Sequence, residues 1–595
     1  MAVNLVSLES VRKAYGDRAL LDDVSLGVAA GQRIGVVGPN GAGKTTLISV
    51  LAGVVPPDTG RVTHNRGLTV GMLPQTDLVP EGTVRDTVVG DARDHEWASD
   101  PRIRAVLDGL GLGTVGLDAP LARLSGGERR RVGLASVLVH DADVVVLDEP
   151  TNHLDVEAVA WLAEHLRSRR SALVVVTHDR WFLDAVCDTT WEVAGGQVHR
   201  YEGGYAAYVL ARAERDRREA VAEERRRNLV RKELAWLRRG PPARTTKPKF
   251  RIEAATALIA DEPAPRDTVE LTRFASSRLG KTVYELHDVT LRVGAEPDQT
   301  LVTDRLTWHV GPGDRIGLIG VNGAGKTSLL RLLTGALPPT AGKVVVGRTV
   351  RPGYLSQGVE ELDPSRRVLE AVEQVRRVVQ LGKRELTASQ VCEALGFGGD
   401  RQWTPVKELS GGERRRLQIV RLMMGEPNVL LLDEPTNDLD IDTLTAVEDL
   451  LDSWPGTLLV VSHDRYFLER VTDHVMALMG DGSLAMLPGG VDEYLDRRRQ
   501  TREARARGGT ARPTGTAAAV APSDAQQTRQ ARKELARVER QIERLGTRET
   551  QLHEELVEHA TDHTRLAELD RTLREVRTER EQAEERWLDL AEHAD

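Results

Sequence analysis

One unit is written twice in this chain. "GPNGAGKTT" starts at Gly38, and "GVNGAGKTS" starts 282 positions later at Gly320. "LSGGE" begins at Leu124 and Leu409, "LDEPTN" at Leu147 and Leu432, and "HDR" at His178 and His463, each pair 285 apart. Four motifs in one order, drifting by only three residues, mark a duplicated domain. Each copy is roughly 200 residues, the size of one α/β unit. Within a copy, "QRIGVVG" reads as a strand and "KTTLISVLAGVV" as the helix after it. "DVVVLDEP" and "ALVVVTHD" are apolar along their length, the pattern of parallel strands buried on both faces. The expected fold class is therefore α/β: two tandem P-loop domains joined by a helical linker.

The copies divide the chain into 1–210 and 266–496, with a charged helical segment at 211–265 between them. A Gly-, Pro-, Ala- and Thr-rich stretch, 497–528, reads as a flexible Arg-rich linker. From 529 to 595, Leu535, Val538, Ile542 and Leu545 step by three and four, and the steps resume at Leu566, Leu569, Leu573 and Val576 after "HATDHT". Two such helices joined by a short turn form an antiparallel coiled-coil hairpin. Two cysteines in 595 residues exclude a disulfide framework and fit a reducing compartment. The N-terminus lacks a basic, apolar leader, and no run approaches the ~18 apolar residues of a membrane span. A cytoplasmic location is expected.

The G-x-x-x-x-G-K-[ST] motif is complete at Gly38–Thr45 and at Gly320–Thr327. Gly38, Gly41 and Gly43, with Asn40, let backbone N–H groups close around phosphate oxygens, as do Gly320, Gly323 and Gly325 with Asn322. Lys44 and Lys326 reach the terminal phosphates, and Thr45 and Thr327 suit Mg²⁺. Thr46 and Ser328 carry each loop into a helix whose positive end faces the anion. Asp148–Glu149 and Asp433–Glu434 end apolar strands; the first carboxylate of each pair suits the Mg²⁺ shell and the second suits water activation. His178 and His463 follow the next strand, in reach of a γ-phosphate. Ser125 with Glu128, and Ser410 with Glu413, have the spacing of a capping box. A cap alone does not require Gly126, Gly127, Gly411 and Gly412, because glycine weakens a helix start. Exposed N–H groups with nothing blocking close approach make a second phosphate half-site.

Together these motifs resemble the ATP-binding cassette family. The resemblance implies ATP and Mg²⁺ as ligands, and ATP hydrolysis as the activity. It implies that Asp155 and Asp440 are D-loop aspartates, that Gln75 in "GMLPQ" and Gln357 in "GYLSQ" sense Mg²⁺ and the γ-phosphate, and that Tyr15 stacks on adenine. Val293 stands near that last position in the second copy. It also implies a head-to-tail pair: ATP on Lys44 closed by Ser410, Gly411, Gly412 and Glu413, and ATP on Lys326 closed by Ser125, Gly126, Gly127 and Glu128. Two cassettes joined by a charged helical linker resemble the ABC-F family. The stretch "RKELAWLRRGPPARTTKPKFRIEAATAL" and the C-terminal hairpin are most similar to its Uup branch. This implies a monomer whose ATP-driven closure binds and releases the ribosome, with rRNA and tRNA as contacts and ribosome protection as a variant of that role. No arm is inserted in the first cassette, where Gln75 and Ser125 lie no farther apart than Gln357 and Ser410.

Charge supports an RNA-facing linker. Arg212–Arg251 holds fifteen Lys/Arg against six Asp/Glu, net +9, in a chain whose total is −9. Arg238, Arg239, Arg244, Lys247, Lys249 and Arg251 fall in an acid-free stretch and are the candidate phosphate contacts. Residues 524–595 hold thirteen Lys/Arg against nineteen Asp/Glu, which suits a protein contact or spacer better than DNA. The alternatives are a DNA-binding ATPase of the Uup type and the ATPase subunit of a membrane transporter; the latter leaves the basic tip unexplained.

Overall fold

Each copy builds a six-stranded sheet around its phosphate loop. In the first copy of the computed structural model the strands lie in the order Val70–Leu73, Val144–Asp148, Ala172–Val176, Arg33–Val37, Thr189–Ala194 and Gln197–Glu202. The first five are parallel and the last pairs antiparallel. The second copy repeats this with Pro352–Leu355, Val429–Asp433, Thr457–Val461, Arg315–Gly320, His474–Leu478 and Leu484–Leu487. "VVVLD" and "ALVVV" are buried at every residue, as continuous apolar runs require. The structure describes residues 4–217 and 280–506 apart from 17, 76–81, 91–99, 114, 216, 281, 295–298, 357–361, 382–383, 395, 438 and 453. Gln357, the basic tip with its six candidate contacts, and the expected hairpin at 529–595 lie outside the described residues. Both copies fall in one compact unit, Met1–Gln500.

A three-stranded antiparallel sheet covers one side of each central sheet: Asn4–Tyr15 between Arg18–Ala29 and Thr59–His64, and Tyr284–Val293 between Thr300–Val310 and Ala341–Val346. Sandwiched there in the first copy are Leu8, Leu21, Leu47, Ile48, Val146, Val174 and Trp191. The opposite face packs Leu134, Leu138, Val145, Val175, Leu162 and Phe182. These cores are not self-contained. Val156 of the first copy is buried in the second copy's core, and Ile441 of the second is buried in the first copy's core.

The C-terminal boundary needs one correction. Helix Gly490–Ala506 runs ten residues into the stretch expected to be flexible from Arg497. Its Glu493–Arg497 pair is spaced i, i+4 at 2.5 Å, and Arg498 Nε donates to Glu157 Oε1 at 2.6 Å. The composition that suggested a linker is that of 497–528 as a whole, but its helix breakers begin only at Gly508. Both cysteines are buried and unpaired as disulfides; burial pushes the Cys392 thiol up to about 12 and raises that of Cys187.

Candidate active sites at the interface of the two copies

The phosphate loops owe their shape to glycine. Gly38 and Gly320 have φ of 142° and 151°, and a Cβ at either would fall within 2.3 Å and 2.7 Å of the carbonyl oxygens of Val193 and Leu478. Gly43 and Gly325, at φ 107° and 92°, are the left-handed caps of helices Lys44–Leu51 and Lys326–Leu333. Lys44 Nζ donates to Gly38 O at 2.7 Å, and Lys326 Nζ donates to Gly320 O at 2.7 Å, so each ammonium folds over its own loop. Burial lowers the pKa of both lysines, opposed chiefly by Glu149 and Asp440 at the first and by Glu434 and Asp155 at the second.

Asp148 and Asp433 are buried at the ends of their strands, and each keeps an Oδ2 without a hydrogen-bond partner. Each also takes a hydrogen bond from the loop threonine, Thr45 or Thr327, although burial dominates and raises both carboxyls. Thr45 Oγ1 lies 3.5 Å from Gln75 Oε1. One carboxylate oxygen left over beside a hydroxyl and an amide oxygen fits Mg²⁺, which takes few protein ligands and keeps the rest for phosphate and water. Glu149 and Glu434 stand next in sequence in left-handed backbone, φ 49° and 48°, a conformation that disfavours non-glycine residues by about 1 kcal/mol or more. Each is held there by its N–H, to Val176 O at 2.8 Å and Val461 O at 2.9 Å. His178 Nε2 lies 3.4 Å from Glu149 Oε1, and His463 Nε2 lies 3.0 Å from Glu434 Oε1. Burial first, then Lys44, brings His178 down to about 3, and burial holds His463 well below the ordinary range. Both imidazoles are therefore neutral at pH 7. Burial pushes Glu434 up to about 8.

The two signature segments form the expected caps. Ser125 N donates to Glu128 Oε2 at 2.8 Å and Glu128 N returns a bond to Ser125 Oγ at 3.3 Å; Ser410 and Glu413 repeat this at 2.9 and 3.3 Å. Glycines then occupy the first two positions of helices Gly126–Val139 and Gly411–Met424. Two residues unmarked in the sequence reading complete this part. Arg130 donates to the carbonyls of Pro74, Gln75 and Asp148, and Arg415 to those of Ser356, Asp433 and Glu434. Each guanidinium ties the signature helix to the acidic strand end and to the segment at Gln75 or just before Gln357. The signal was there, in "ERRR" repeated with the motif, but three adjacent arginines read equally well as a solvated face.

The loops of one copy meet the motifs of the other. Asn40 N donates to Asp440 Oδ2 at 3.0 Å, and Asn322 N donates to Asp155 Oδ2 at 3.0 Å. A cavity of about 830 Å³ is lined by Asn322, Lys326, Thr327 and Ser328 together with Ser125, Gly127 and Glu128, and by Asn40 and Gly41 together with Ser410, Gly411 and Gly412. A smaller cavity beside it holds Lys44, Thr45, Thr46, Asp148 and Glu149, with Leu20 at its wall. Tyr15 is 55% exposed at the end of its strand and does not line either cavity. Val293 is partly buried against the second copy's core.

A family model described as ABC transporter matches residues 21–152 and 303–437. A second of the same description matches 191–269, and one described as ABC transporter C-terminal domain matches 526–592. The chain is 37% identical to the energy-dependent translational throttle protein EttA of Mycobacterium tuberculosis, over 81% of this chain and 92% of the relative. This chain belongs to the ABC-F family. As an ABC-F protein it is an ATP hydrolase built from two ATP-binding cassettes. It is also 34% identical, over 99% of both chains, to the uncharacterized ABC transporter ATP-binding protein YfmR of Bacillus subtilis. Among solved structures, RNase-L Inhibitor superposes with a TM-score of 0.57 at 22% identity, covering 83% of this chain and 93% of that one, which shows a shared fold. Among the described residues no helix is long and apolar enough to cross a membrane.

Proposed function

We propose that ATP with Mg²⁺ binds at both shared sites and that closure of the cassettes around it controls attachment to, and release from, the ribosome. The observation that carries this reading is the crossing of Asp440 to Asn40 and of Asp155 to Asn322, which makes each phosphate loop depend on the opposite cassette. Thr45, Gln75 and Asp148 would hold the cation at one site, and Thr327, Asp433 and Gln357 at the other. The bound ion supplies charge neutralisation of the phosphates. Lys44 and Lys326 leave their loop carbonyls for phosphate oxygen, a short move with one acceptor exchanged for another. Glu149 accepts the proton of the attacking water, and Glu434 does so from its ionised form. His178 and His463, neutral, place an Nε2 beside those carboxylates and fix their orientation. The Ser-Gly-Gly helix starts bring N–H groups to the far side of the anion.

Translation as the target is supported by the likeness to a protein named a translational throttle and by the net charge of the segment between the cassettes. Arg238, Arg239, Arg244, Lys247, Lys249 and Arg251 would contact RNA phosphate. A monomer acting in the cytoplasm, of the Uup branch, completes the proposal. Sedimentation with ribosomes tests it: the Glu149→Gln/Glu434→Gln variant in ATP should stay with ribosomes and hydrolyse nothing, because the amide keeps the shape and loses the base. Parent-like hydrolysis by that variant, or no ATP-dependent co-sedimentation, would overturn it.

A further inference from the structure

Each cassette ends in a helix carrying a tyrosine and, four residues on, an arginine. In "GGYAAYVLAR" and "GGVDEYLDRR" these are Tyr208 with Arg212 and Tyr494 with Arg498, at the same distance from the glycine pair. The i, i+4 spacing puts both side chains on one helix face. In helix 205–215, Tyr208 is 2% exposed, and Arg212 donates from its two Nη groups to Asp442 Oδ1 at 2.7 Å and Oδ2 at 3.2 Å. Arg212 Nη1 also donates to Tyr208 Oη at 2.9 Å. In helix Gly490–Ala506, Tyr494 Oη donates to Glu157 Oε1 at 2.9 Å and Arg498 Nε donates to the same oxygen at 2.6 Å.

The acceptors are equivalent too. Asp442 lies two residues after Asp440, and Glu157 two residues after Asp155. One turn of the second cassette therefore makes three contacts with the first. Asp440 reaches the phosphate loop, Ile441 enters the core, and Asp442 holds the exit helix. Asp155, Val156 and Glu157 do the same to the second cassette. A side chain buried in the opposite core leaves such a turn little room to move at one contact and not at the others. The two grips differ in what else holds each helix. Tyr208 Oη and Arg215 also bond Glu192 of their own sheet, at 3.1 and 2.6 Å, whereas Ala477 stands at the matching place in the second cassette. Tyr494 Oη instead bonds Glu157 itself, and the second exit helix is tied to its own cassette through Asp492, which accepts from Arg465 Nη1 at 3.1 Å.

We infer that each turn after a D-loop aspartate is a latch that reports the state of one ATP site to the chain segment leaving that same cassette. The Lys44 site, through Asp440 and Asp442, holds helix 205–215 and so the start of the inter-cassette segment. The Lys326 site, through Asp155 and Glu157, holds the C-terminal exit helix. Asp442, Glu157, Arg212 and Arg498 are positioning residues that never touch nucleotide. The inference rests on the closure reading above.

Hydrogen exchange on the full chain, in the Glu149→Gln/Glu434→Gln background with and without ATP, tests it. ATP should slow exchange in 205–215 and 490–500 on the order of tenfold. Asp442→Asn should abolish the slowing at 205–215 alone, and Glu157→Gln at 490–500 alone. Arg212→Asp with Asp442→Arg should restore the first. ATP-dependent slowing that survives both single variants, or that each variant removes from both helices equally, would overturn the inference. The signature helices Gly126–Val139 and Gly411–Met424 serve as the control. If they do not respond to ATP, closure itself has failed and the latch falls with it; if they respond while the exit helices do not, only the latch fails.

Discussion

Truncating Glu448 to alanine should loosen the cassettes' docking about a hundredfold without unfolding either one. Glu448 is fully buried and belongs to the second cassette; its main partner, Arg180 of the first, is 4% exposed. Arg180 Nη1 donates to Glu448 Oε2 at 3.0 Å, its Nη2 donates to Oε1, and Arg470 Nη1 donates to Oε2 at 2.9 Å. Removing the carboxylate deletes these bonds and strands a buried guanidinium, a change that typically costs about 3–5 kcal/mol. Asp464 remains, with Oδ2 3.1 Å from Arg180 Nη2, so the low end applies. At about 3 kcal/mol, the docking equilibrium shifts by about two powers of ten. The first cassette carries Ala163 at the position matching Glu448, and its own partner Arg465 instead pairs with Asp492 and lies 3.7 Å from the Trp181 ring centroid. Dyes on cysteines placed at the exposed positions Val54 and Val346 would read docking by energy transfer, since both native thiols are buried. Without nucleotide, Glu448→Ala should shift the balance toward the open, low-transfer state about a hundredfold relative to the parent. Arg180→Met/Glu448→Leu should recover part of the docking, because it leaves no guanidinium stranded, although Asp464 Oδ2 loses its Arg180 partner. Equal transfer distributions in parent and Glu448→Ala would refute the reasoning, as would a double variant worse than the single one.

Ser410→Arg should lower turnover at the Lys44 site at least on the order of tenfold, by bulk and charge at a helix start lining the shared cavity; unchanged single-site turnover, with the Lys326 site silenced by Glu434→Gln, would reject the shared arrangement. Asp179 is pushed up to about 7, by burial first and then by Asp464, so the native state holds its proton more tightly than the unfolded chain. Its contribution to stability is therefore present at low pH and lost as pH rises from about 4 to about 7, by up to about 4 kcal/mol. Asp179→Asn keeps the cap on Phe182 N and should gain on the parent across that window in thermal unfolding; parallel curves would exclude Asp179 as the cause. Replacing Arg238, Arg239, Arg244, Lys247 and Lys249 by alanine should weaken ribosome binding and flatten its salt dependence by up to about 4 units of log–log slope, with basal ATPase retained; identical binding across a salt series would remove the basic tip from the interface.

The sheets, the phosphate loops and the capped signature helices were legible because each is dictated locally. An apolar run, a glycine where φ must be positive, or a serine three residues before a glutamate carries its own physical reason. The antiparallel sheets were less legible, since "NLVSLESVRKAY" alternates imperfectly and its register shifts three times after Ser7. What the residues alone left open was contact at a distance. Nothing near Glu448 says that its partner lies 268 positions earlier. Arg130 and Arg415 look like surface charge until their carbonyl acceptors are in view. The left-handed φ of Glu149 and Glu434 has no sequence signature either, because glutamate is a poor choice for that conformation and is retained there despite it.

The crossed contacts between the cassettes have the geometry of an interface between two identical subunits, each giving what it receives. Here both subunits lie on one chain. An interface between free copies forms only when their concentration exceeds its dissociation constant, whereas a tethered pair meets at an effective concentration set by the tether, commonly in the millimolar range. Reopening and reclosing then proceed alike whether a cell holds few molecules or many. Fusion also lifts the constraint that a residue must serve both sides of a two-fold axis. Glutamate at 448 with alanine at 163 is a combination no homodimer could encode, and it lets the halves specialise while still closing on each other.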